Sequence, residues 1–104
     1  MDRQLIYITT SSDDEARTIA RALVEERLAA CANILGQIKS VYWWEDELQE
    51  DAEVALIVKS TTTLVPRIVE RVKALHSYDC PCVVALPINS GNDAFLDWIG
   101  EETA

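Results

Sequence analysis

The chain has 104 residues, of which 49% are hydrophobic and 26% are charged, and its formal net charge is −9 at pH 7. This length and composition predict one soluble globular domain, residues 1–104, without a membrane partner, because the longest apolar run is far shorter than the roughly 20 residues that a bilayer requires. The negative charge argues against nucleic acid as a partner, since phosphates would be repelled.

The first two predicted elements are a strand and an amphipathic helix. Residues 3–10, RQLIYITT, are rich in β-branched and aromatic side chains and predict a strand. The helix follows Ser12, which precedes Glu15 by three residues in a capping-box pattern. Apolar residues at helical spacing predict its buried stripe: Ala16, Ile19, Ala20, Leu23 and Val24.

Residues 31–60 predict one long β-hairpin with its turn at Glu45-Asp46. A tight primed turn requires positive φ, which Asp tolerates and Gly would suit better. Period-two alternation places one set of first-arm residues on one face: Ile34, Gly36, Ile38, Ser40 and Tyr42. The opposite face is then expected to carry the other set: Leu35, Gln37, Lys39, Val41 and Trp43.

The tip of this hairpin is expected to project beyond its own subunit. Arms of about 12 residues extend ~40 Å, whereas a compact domain of this size has a radius of gyration of only ~13 Å. Exposed aromatic side chains on an overhanging ribbon are typical of an interface. We therefore expect Tyr42, Trp43 and Trp44 to be buried against neighbouring copies of the chain.

The second half predicts a helix, a strand and a short helix. Residues 61–78 predict a helix with a threonine cap and Pro66 in its first turn, where a missing N–H has no partner. Its buried stripe is expected to contain Val65, Ile68, Val69, Val72 and Leu75. The continuous apolar run 82–88, CVVALPI, predicts an interior strand. The last helix is expected to begin after Asn92 and to turn four side chains partly inward: Phe95, Leu96, Trp98 and Ile99.

This order of elements predicts an α+β fold, the ferredoxin-like split β-α-β sandwich. It has one antiparallel sheet with two helices on one face, a long hairpin between the second and third strands, and a C-terminal helix. The other face of the sheet has only the short last helix to cover it. Together with the projecting hairpin, this uncovered face predicts an obligate oligomer.

The stretch 75–88, LHSYDCPCVVALPI, contains the only histidine, His76, and two of the three cysteines, Cys80 and Cys82. Thiolates and imidazole are suitable ligands for Cu(I) or zinc. However, Cys-x-Cys is not the common Cys-x-x-Cys spacing, and two thiols ~7 Å apart at Cα on a strand are poorly placed for a disulfide. The spacing thus weighs against a metal site, but His76, Cys82 and Cys80 are kept as candidate metal ligands because of their chemistry. The alternatives are a core-filling Cys82, an exposed loop thiol at Cys80, a redox pair, and a histidine that only ends a helix.

No catalytic constellation is recognisable in the sequence. It has no serine–histidine–acid set and no glycine-rich phosphate loop, so we expect no enzyme and no required cofactor. Three cysteines without the pattern of a secretory signal predict free thiols and a cytoplasmic location.

Five segments resemble the CutA family of divalent-cation tolerance proteins, in order and with the family's spacing over nearly the whole chain. They are ERLAACANI, SVYWWEDELQED, EVALIVKS, LHSYDCPCVVALPI and FLDWI. The resemblance implies a cytoplasmic homotrimer of ferredoxin-like subunits, related in architecture to the PII signalling proteins, whose hairpins connect neighbouring sheets. It also implies a link to the tolerance of divalent metals and to copper binding, with no established reaction.

The resemblance also implies a ligand cleft between subunits that contains Cys31, Lys59 and Tyr78 together with residue 82. The alternatives are that Cys31 is a small buried hydrophobe and that Lys59 forms an interface salt bridge. The chain departs from the family at 76–82, where the family often has a second acidic residue and this chain has Cys82. Two function hypotheses follow: a trimer that binds copper, another divalent metal or a small ligand, and a trimeric scaffold without a physiological metal.

Overall fold

The structure is a computed structural model and describes residues 2–104. The four strands are β1 (Arg3–Thr10), β2 (Cys31–Trp44), β3 (Glu47–Thr61) and β4 (Val83–Pro87). The helices are α1 (Asp13–Glu25), α2 (Val65–Leu75) and α3 (Asp93–Glu101). All strand pairs are antiparallel, in the order β2-β3-β1-β4. The predicted ferredoxin-like α+β fold is confirmed.

The main apolar core lies between the sheet and the two helices α1 and α2. Ile6 and Ile8 of β1 are directly opposite Val58 and Leu56 of β3, and all four are fully buried. The helices contribute the residues that their sequence stripes predict, chiefly Ile19, Leu23, Ile68 and Val72. We call this side of the sheet the helix face and the other side the open face. Within residues 2–104, none of the helices is long and apolar enough to cross a bilayer.

The caps of α1 and α3 follow the sequence prediction, and the cap of α2 does not. Ser12 Oγ accepts a hydrogen bond of 3.1 Å from the Glu15 N–H, and Asn92 Oδ1 accepts one of 3.0 Å from the Ala94 N–H. The predicted threonine cap of α2 is wrong, because residues 62–64 form a 3₁₀ turn and Leu64 occupies the N-cap without a side-chain hydrogen bond.

A β-bulge in β2 changes the face to which its later residues belong. Ile34 pairs with Leu56 and Gly36 pairs with the adjacent Ala55, so Leu35 has no partner in the ladder. Gly36 has φ +100°, which residues with a Cβ rarely adopt. The prediction of a single face from Ile34 to Tyr42 is therefore wrong. Ile34 lies on the helix face, whereas three later residues lie on the open face: Ile38, Ser40 and Tyr42.

Helix α3 covers one end of the open face, and the loop between α2 and β4 covers the part around Thr9 and Glu53. The Arg3 guanidinium donates a hydrogen bond of 2.6 Å to the Leu96 carbonyl, and Leu96 and Ile99 pack with Ala30 in a second, smaller core. Elsewhere on this face the strands expose apolar side chains, with Val84 and Leu86 of β4 being 51% and 55% exposed.

Strand β4 pairs with β1 alone and is an edge strand. The prediction of an interior strand at 82–88 is therefore wrong. A continuous apolar run indicates that both faces of the strand are apolar. It does not indicate whether the strand has hydrogen-bonded neighbours along both of its edges.

The β2–β3 hairpin is the longest feature of the molecule, whose greatest extent is 44 Å. Its turn consists of Glu45 and Asp46 with φ of 49° and 62°, which confirms the predicted two-residue primed turn. Near the tip, Trp43 is 72% exposed, and Trp44 lies on the opposite face of the same strand.

Candidate functional site: a cavity on the open face

A cavity of about 610 Å³ lies on the open face of the sheet, beneath the loop that connects α2 to β4. We call this cavity the open-face cavity. The bulge at Gly36 is what places the later β2 residues on this face. Its lining comprises strand residues and loop residues: Tyr7, Thr9, Ser40, Tyr42, Trp44, Glu53, Ser77, Tyr78, Asp79, Cys80 and Cys82.

The floor of the cavity contains a buried carboxylate. Glu53 is only 8% exposed, and its Oε2 accepts a hydrogen bond of 3.0 Å from the Tyr78 hydroxyl. Burial, and then this bond to a carboxylate, raise the pKa of Tyr78 well above its ordinary value. Tyr78 is therefore a protonated donor throughout the physiological range, and Glu53 is its acceptor.

A second phenol stands at the exposed rim. The Tyr42 hydroxyl donates a hydrogen bond of 2.6 Å to Oδ2 of Asp51. This bond, with a smaller effect from partial desolvation, raises the pKa of Tyr42. Tyr42 and Tyr78 are thus both neutral hydroxyl groups at neutral pH, each oriented by a carboxylate.

His76 anchors the loop that carries the cysteines. Its side chain is fully buried, and its Nδ1 accepts a hydrogen bond of 3.1 Å from the Tyr78 N–H. Since Nδ1 is an acceptor, Nε2 carries the proton and donates to the Thr9 carbonyl at 2.7 Å. Both ring nitrogens of this predicted metal ligand are therefore engaged within the protein. The alternative that His76 ends helix α2 agrees with its position at the C-cap.

Glu15 connects the same loop to the start of α1. Its carboxylate accepts hydrogen bonds of 2.9 Å from the Ser11 N–H and the Ser77 N–H. Burial alone would raise the pKa of Glu15, but the hydrogen bonds from Ser11 and Ser77 outweigh it and lower the pKa below the ordinary value of 4.5. The N-cap of α1 and the cavity loop are thus held by one carboxylate.

The two loop cysteines lie where a ligand could reach them. Cys80 is exposed, Cys82 is half-buried, and both line the open-face cavity. All three cysteines are free thiols. Within the part of the chain that the structure describes, no group of three or more His, Cys, Asp or Glu side chains is arranged to hold a metal ion. Metal binding by Cys80 and Cys82 remains a prediction.

The structure places two residues of the predicted ligand cleft at the other end of the open face. Cys31 pairs with Lys59 across β2 and β3, and the Lys59 ammonium donates to Asn33 Oδ1 at 2.7 Å. Lys59 follows Glu53 of the cavity floor by six positions along β3, which is roughly 20 Å of extended strand. Within one chain, Cys31 and Lys59 therefore do not meet Tyr78, and a shared cleft would require a neighbouring subunit.

The sequence interpretation did not identify Glu53 as a site residue. Its only signal was that period two in β3 aligns Glu53 with the apolar Ala55 and Ile57, but Asp51 and Lys59 lie on the same face, so the sequence did not distinguish Glu53. Its contact with Tyr78 spans 25 residues and is not visible in local patterns.

Comparisons with known proteins cover nearly the whole chain. The model of a family described as CutA1 divalent ion tolerance protein matches residues 4–102. The divalent-cation tolerance protein CutA of Thermus thermophilus is 54% identical over 100 residues, which are 96% of this chain and 97% of the relative. The solved structure of the Thermus thermophilus protein has a TM-score of 0.96 and 53% identity, and the match covers 98% of this chain and 99% of that one. The structure of an Archaeoglobus fulgidus protein, described as the periplasmic divalent cation tolerance protein CutA, has a TM-score of 0.93 and 46% identity over 96% and 97% of the two chains.

Proposed function

The chain belongs to the CutA1 family of divalent ion tolerance proteins, and from this premise we propose that it is a non-enzymatic homotrimer that takes part in divalent metal tolerance. In this proposal it binds copper, another divalent metal ion or a small ligand in clefts between subunits. The observation that carries the proposal is the open-face cavity. It lies on the sheet face that a single chain leaves largely uncovered, and it is lined by two free thiols and a buried carboxylate.

The exposed apolar surface supports the proposal of an oligomer. Val84 and Leu86 on the open face, and Tyr42, Trp43 and Trp44 on the hairpin, are all more exposed than core residues of these types. Exposed apolar and aromatic side chains in such numbers are typical of a subunit interface. We propose Tyr42, Trp43 and Trp44 as interface residues, with Cys31 and Lys59 contributing to the cleft from a neighbouring chain.

Cys80 and Cys82 are the residues that we propose as the metal ligands. Thiolates favour copper and zinc over hard cations such as magnesium. His76, the third predicted ligand, would have to release either the Thr9 carbonyl or the Tyr78 N–H before it could bind a metal. We therefore assign it primarily to holding the loop in place.

Titration of the metal-free, reduced protein with copper and with zinc tests the metal proposal. We expect binding of micromolar affinity or tighter that is lost in Cys80→Ser and in Cys82→Ser. Arg17→Ala, at an exposed position of α1 that does not line the open-face cavity, is the control, and Cys31→Ser tests whether the Cys31 of a neighbouring chain contributes a ligand. Retention of full binding in both loop variants would contradict the assignment.

Sedimentation equilibrium tests the assembly. We expect a mass three times the 11.6 kDa of the chain, maintained on dilution. A well-folded species of one chain mass at low concentration would contradict the trimer. Trp43→Ala is expected to weaken the assembly, whereas a change at an exposed α1 position such as Arg17→Ala is expected to leave it intact.

A second candidate function is a trimeric scaffold without a physiological metal. It is favoured by one observation, that residues 2–104 bring together no group of three or more potential metal ligands. Weak copper binding that is the same in all cysteine variants would support it. For either function we propose a cytoplasmic location, because three free thiols are typical of a reducing compartment, and fractionation of cells would test it.

A further inference from the structure

We propose that Lys59 of the partner subunit is the counter-ion of Glu53, so that two chains together complete the floor of the open-face cavity. This inference rests on the proposed function and deepens it, because it says what the lysine side chain does in the cleft between subunits. The partner is a second copy of this chain, and the distribution of charge on the open face identifies it.

Glu53 carries a buried charge for which its own chain supplies no cation. It is only 8% exposed, and its Oε2 accepts the hydrogen bond from the Tyr78 hydroxyl. This bond brings no positive charge, because a protonated phenol is neutral. Within residues 2–104, Glu53 takes part in no ion pair. A buried carboxylate is stabilised by a partner of opposite charge, so we looked for a basic residue that a second chain could supply.

Lys59 is a basic residue on the same face of the sheet. Period two along β3 places its side chain on the open face, as it does that of Glu53. Its ammonium group donates to Asn33 Oδ1 at 2.7 Å and lies 5.7 Å from the centre of the Phe95 ring. No carboxylate of residues 2–104 forms an ion pair with it. An ammonium group has three N–H donors, so it can bind a carboxylate and keep the bond to Asn33.

The other basic side chains lie elsewhere or already have a different contact. Six of them belong to α1, to α2 or to the turn after α1: Arg17, Arg21, Arg27, Arg67, Arg71 and Lys73. Lys39 pairs with Ala52 and therefore lies on the other side of the hairpin. Arg3 lies on the open face, but it donates to the Leu96 carbonyl beneath α3. Among residues 2–104, Lys59 is thus the basic residue of the open face that is available to a second chain.

The positions of the two charges suit a head-to-tail contact between copies. Lys59 follows Glu53 by six positions, and roughly 20 Å of extended strand exceeds the combined reach of the two side chains. In a cyclic assembly each subunit presents two different patches, one to each neighbour. An acidic patch at the cavity floor and a basic patch at the other end of the same face therefore match at every interface of the ring. Val84 and Leu86, exposed on this face, would be buried by the same contact.

Coupling with a water-soluble carbodiimide tests the contact in the assembled wild-type protein. The reagent joins a lysine amine to a carboxylate as an amide without a spacer, so it reports only groups in direct contact. After digestion with trypsin, mass spectrometry should show Glu53 linked to Lys59 in a product that contains the segment 40–59 twice. Only two chains can supply that segment twice. Lys59→Arg is the control, because its guanidinium keeps the charge but is not coupled, so it should assemble without giving this product.

Exchange of the two charges tests whether they stabilise the interface. Glu53→Lys and Lys59→Glu are each expected to raise, by about tenfold or more, the protomer concentration at which half of the protein is assembled. The double variant should regain most of this loss, because it restores opposite charges at every interface. The same exchange at Glu70 and Lys73, an exposed pair on α2, is the control and should leave the assembly unchanged. Equal weakening in the control, or a folded double variant that assembles no better than the single ones, would overturn the inference.

The outcome is separable from that of the proposed function. A trimer that gives no product linking Glu53 to Lys59 would overturn this inference alone, and a chain that sediments as a monomer would overturn it together with the trimer. The coupling uses the wild-type protein, so it decides the question even if Glu53→Lys does not fold. Neither measurement requires a metal ion or the thiols of Cys80 and Cys82.

Discussion

The Tyr78 hydroxyl donates a hydrogen bond of 3.0 Å to the Oε2 atom of Glu53 and so connects the α2–β4 loop to strand β3 across the floor of the open-face cavity. The two residues are 25 positions apart in the chain, and the carboxylate is only 8% exposed. The Tyr78 hydroxyl is the one side-chain hydrogen-bond partner of this buried carboxyl group within residues 2–104, so its removal is expected to lower the stability of the protein.

Tyr78→Phe is predicted to lower the free energy of unfolding by about 1–3 kcal/mol, because it leaves Glu53 without its donor in a poorly hydrated position. Chemical denaturation at a fixed protomer concentration is the measurement, since the stability of the proposed trimer would depend on concentration. Ser11→Ala is the control, and it should cost less because the Ser11 hydroxyl donates to the Glu15 carboxylate at an exposed position. Equal losses in the two variants would show that the burial of Glu53 is not the cause.

Glu15 is predicted to make stability depend on acid pH. Its pKa in the folded state is below the ordinary value of 4.5, so the unfolded chain takes up the proton first. Its stabilising contribution is fully present above the ordinary value and is lost as the pH falls through the folded-state pKa. The stability advantage of the wild type over Glu15→Gln should therefore shrink below about pH 4.5.

Denaturation midpoints measured from pH 7 to pH 3 in the two proteins test this prediction. Glu25→Gln is the matched control, because Glu25 forms only an exposed pair with Arg21. A wild-type advantage over Glu15→Gln that stays constant or grows on acidification would contradict the role assigned to Glu15.

Helix α1, the hairpin turn and the order of elements could be predicted because each depends on neighbours in the sequence. The capping box needs only Ser12 and, three residues later, Glu15. The turn at Glu45-Asp46 lies between the two alternating segments that form the arms of the hairpin. The bulge at Gly36 could not be found from period two, because one unpaired residue leaves the apolar content of the strand unchanged and only exchanges its faces.

The loop residues of the candidate site could be predicted from the sequence, and the residue on the floor of the cavity could not. Cys80 and Cys82 were identified because they are close together in one unusual stretch, Tyr78 was implied by the family resemblance, and all three line the open-face cavity. Glu53 lies on β3, and only the folding of the chain brings it next to the loop residues of this cavity. The two hydrogen bonds of His76 depend on the Thr9 carbonyl, 67 residues away, so its structural role could not be distinguished from a metal-binding role in the sequence.

His76→Ala is predicted to lower the free energy of unfolding by about 3 kcal/mol, because it leaves the Thr9 carbonyl and the Tyr78 N–H without partners in a buried site. Copper stoichiometry, measured where the variant is still folded, should remain that of the wild type if Cys80 and Cys82 are the ligands. An unchanged stability combined with lost copper binding would instead identify His76 as a metal ligand.

Gly36→Ala is predicted to destabilise the protein by about 1–3 kcal/mol through the backbone alone. A Cβ at Gly36 would meet no atom within 4 Å, so a steric clash does not contribute to the loss of stability. The loss comes from the backbone angle φ of +100°. Gly91→Ala is the matched control, because φ at Gly91 lies outside the left-handed region and a Cβ there would make only ordinary contacts with Leu96. If the chain escapes the strain by losing the bulge, Ser40 and Trp44 leave the open face. Denaturation at a fixed protomer concentration compares the two alanine variants, and equal stabilities would show that the bulge is not held by the glycine.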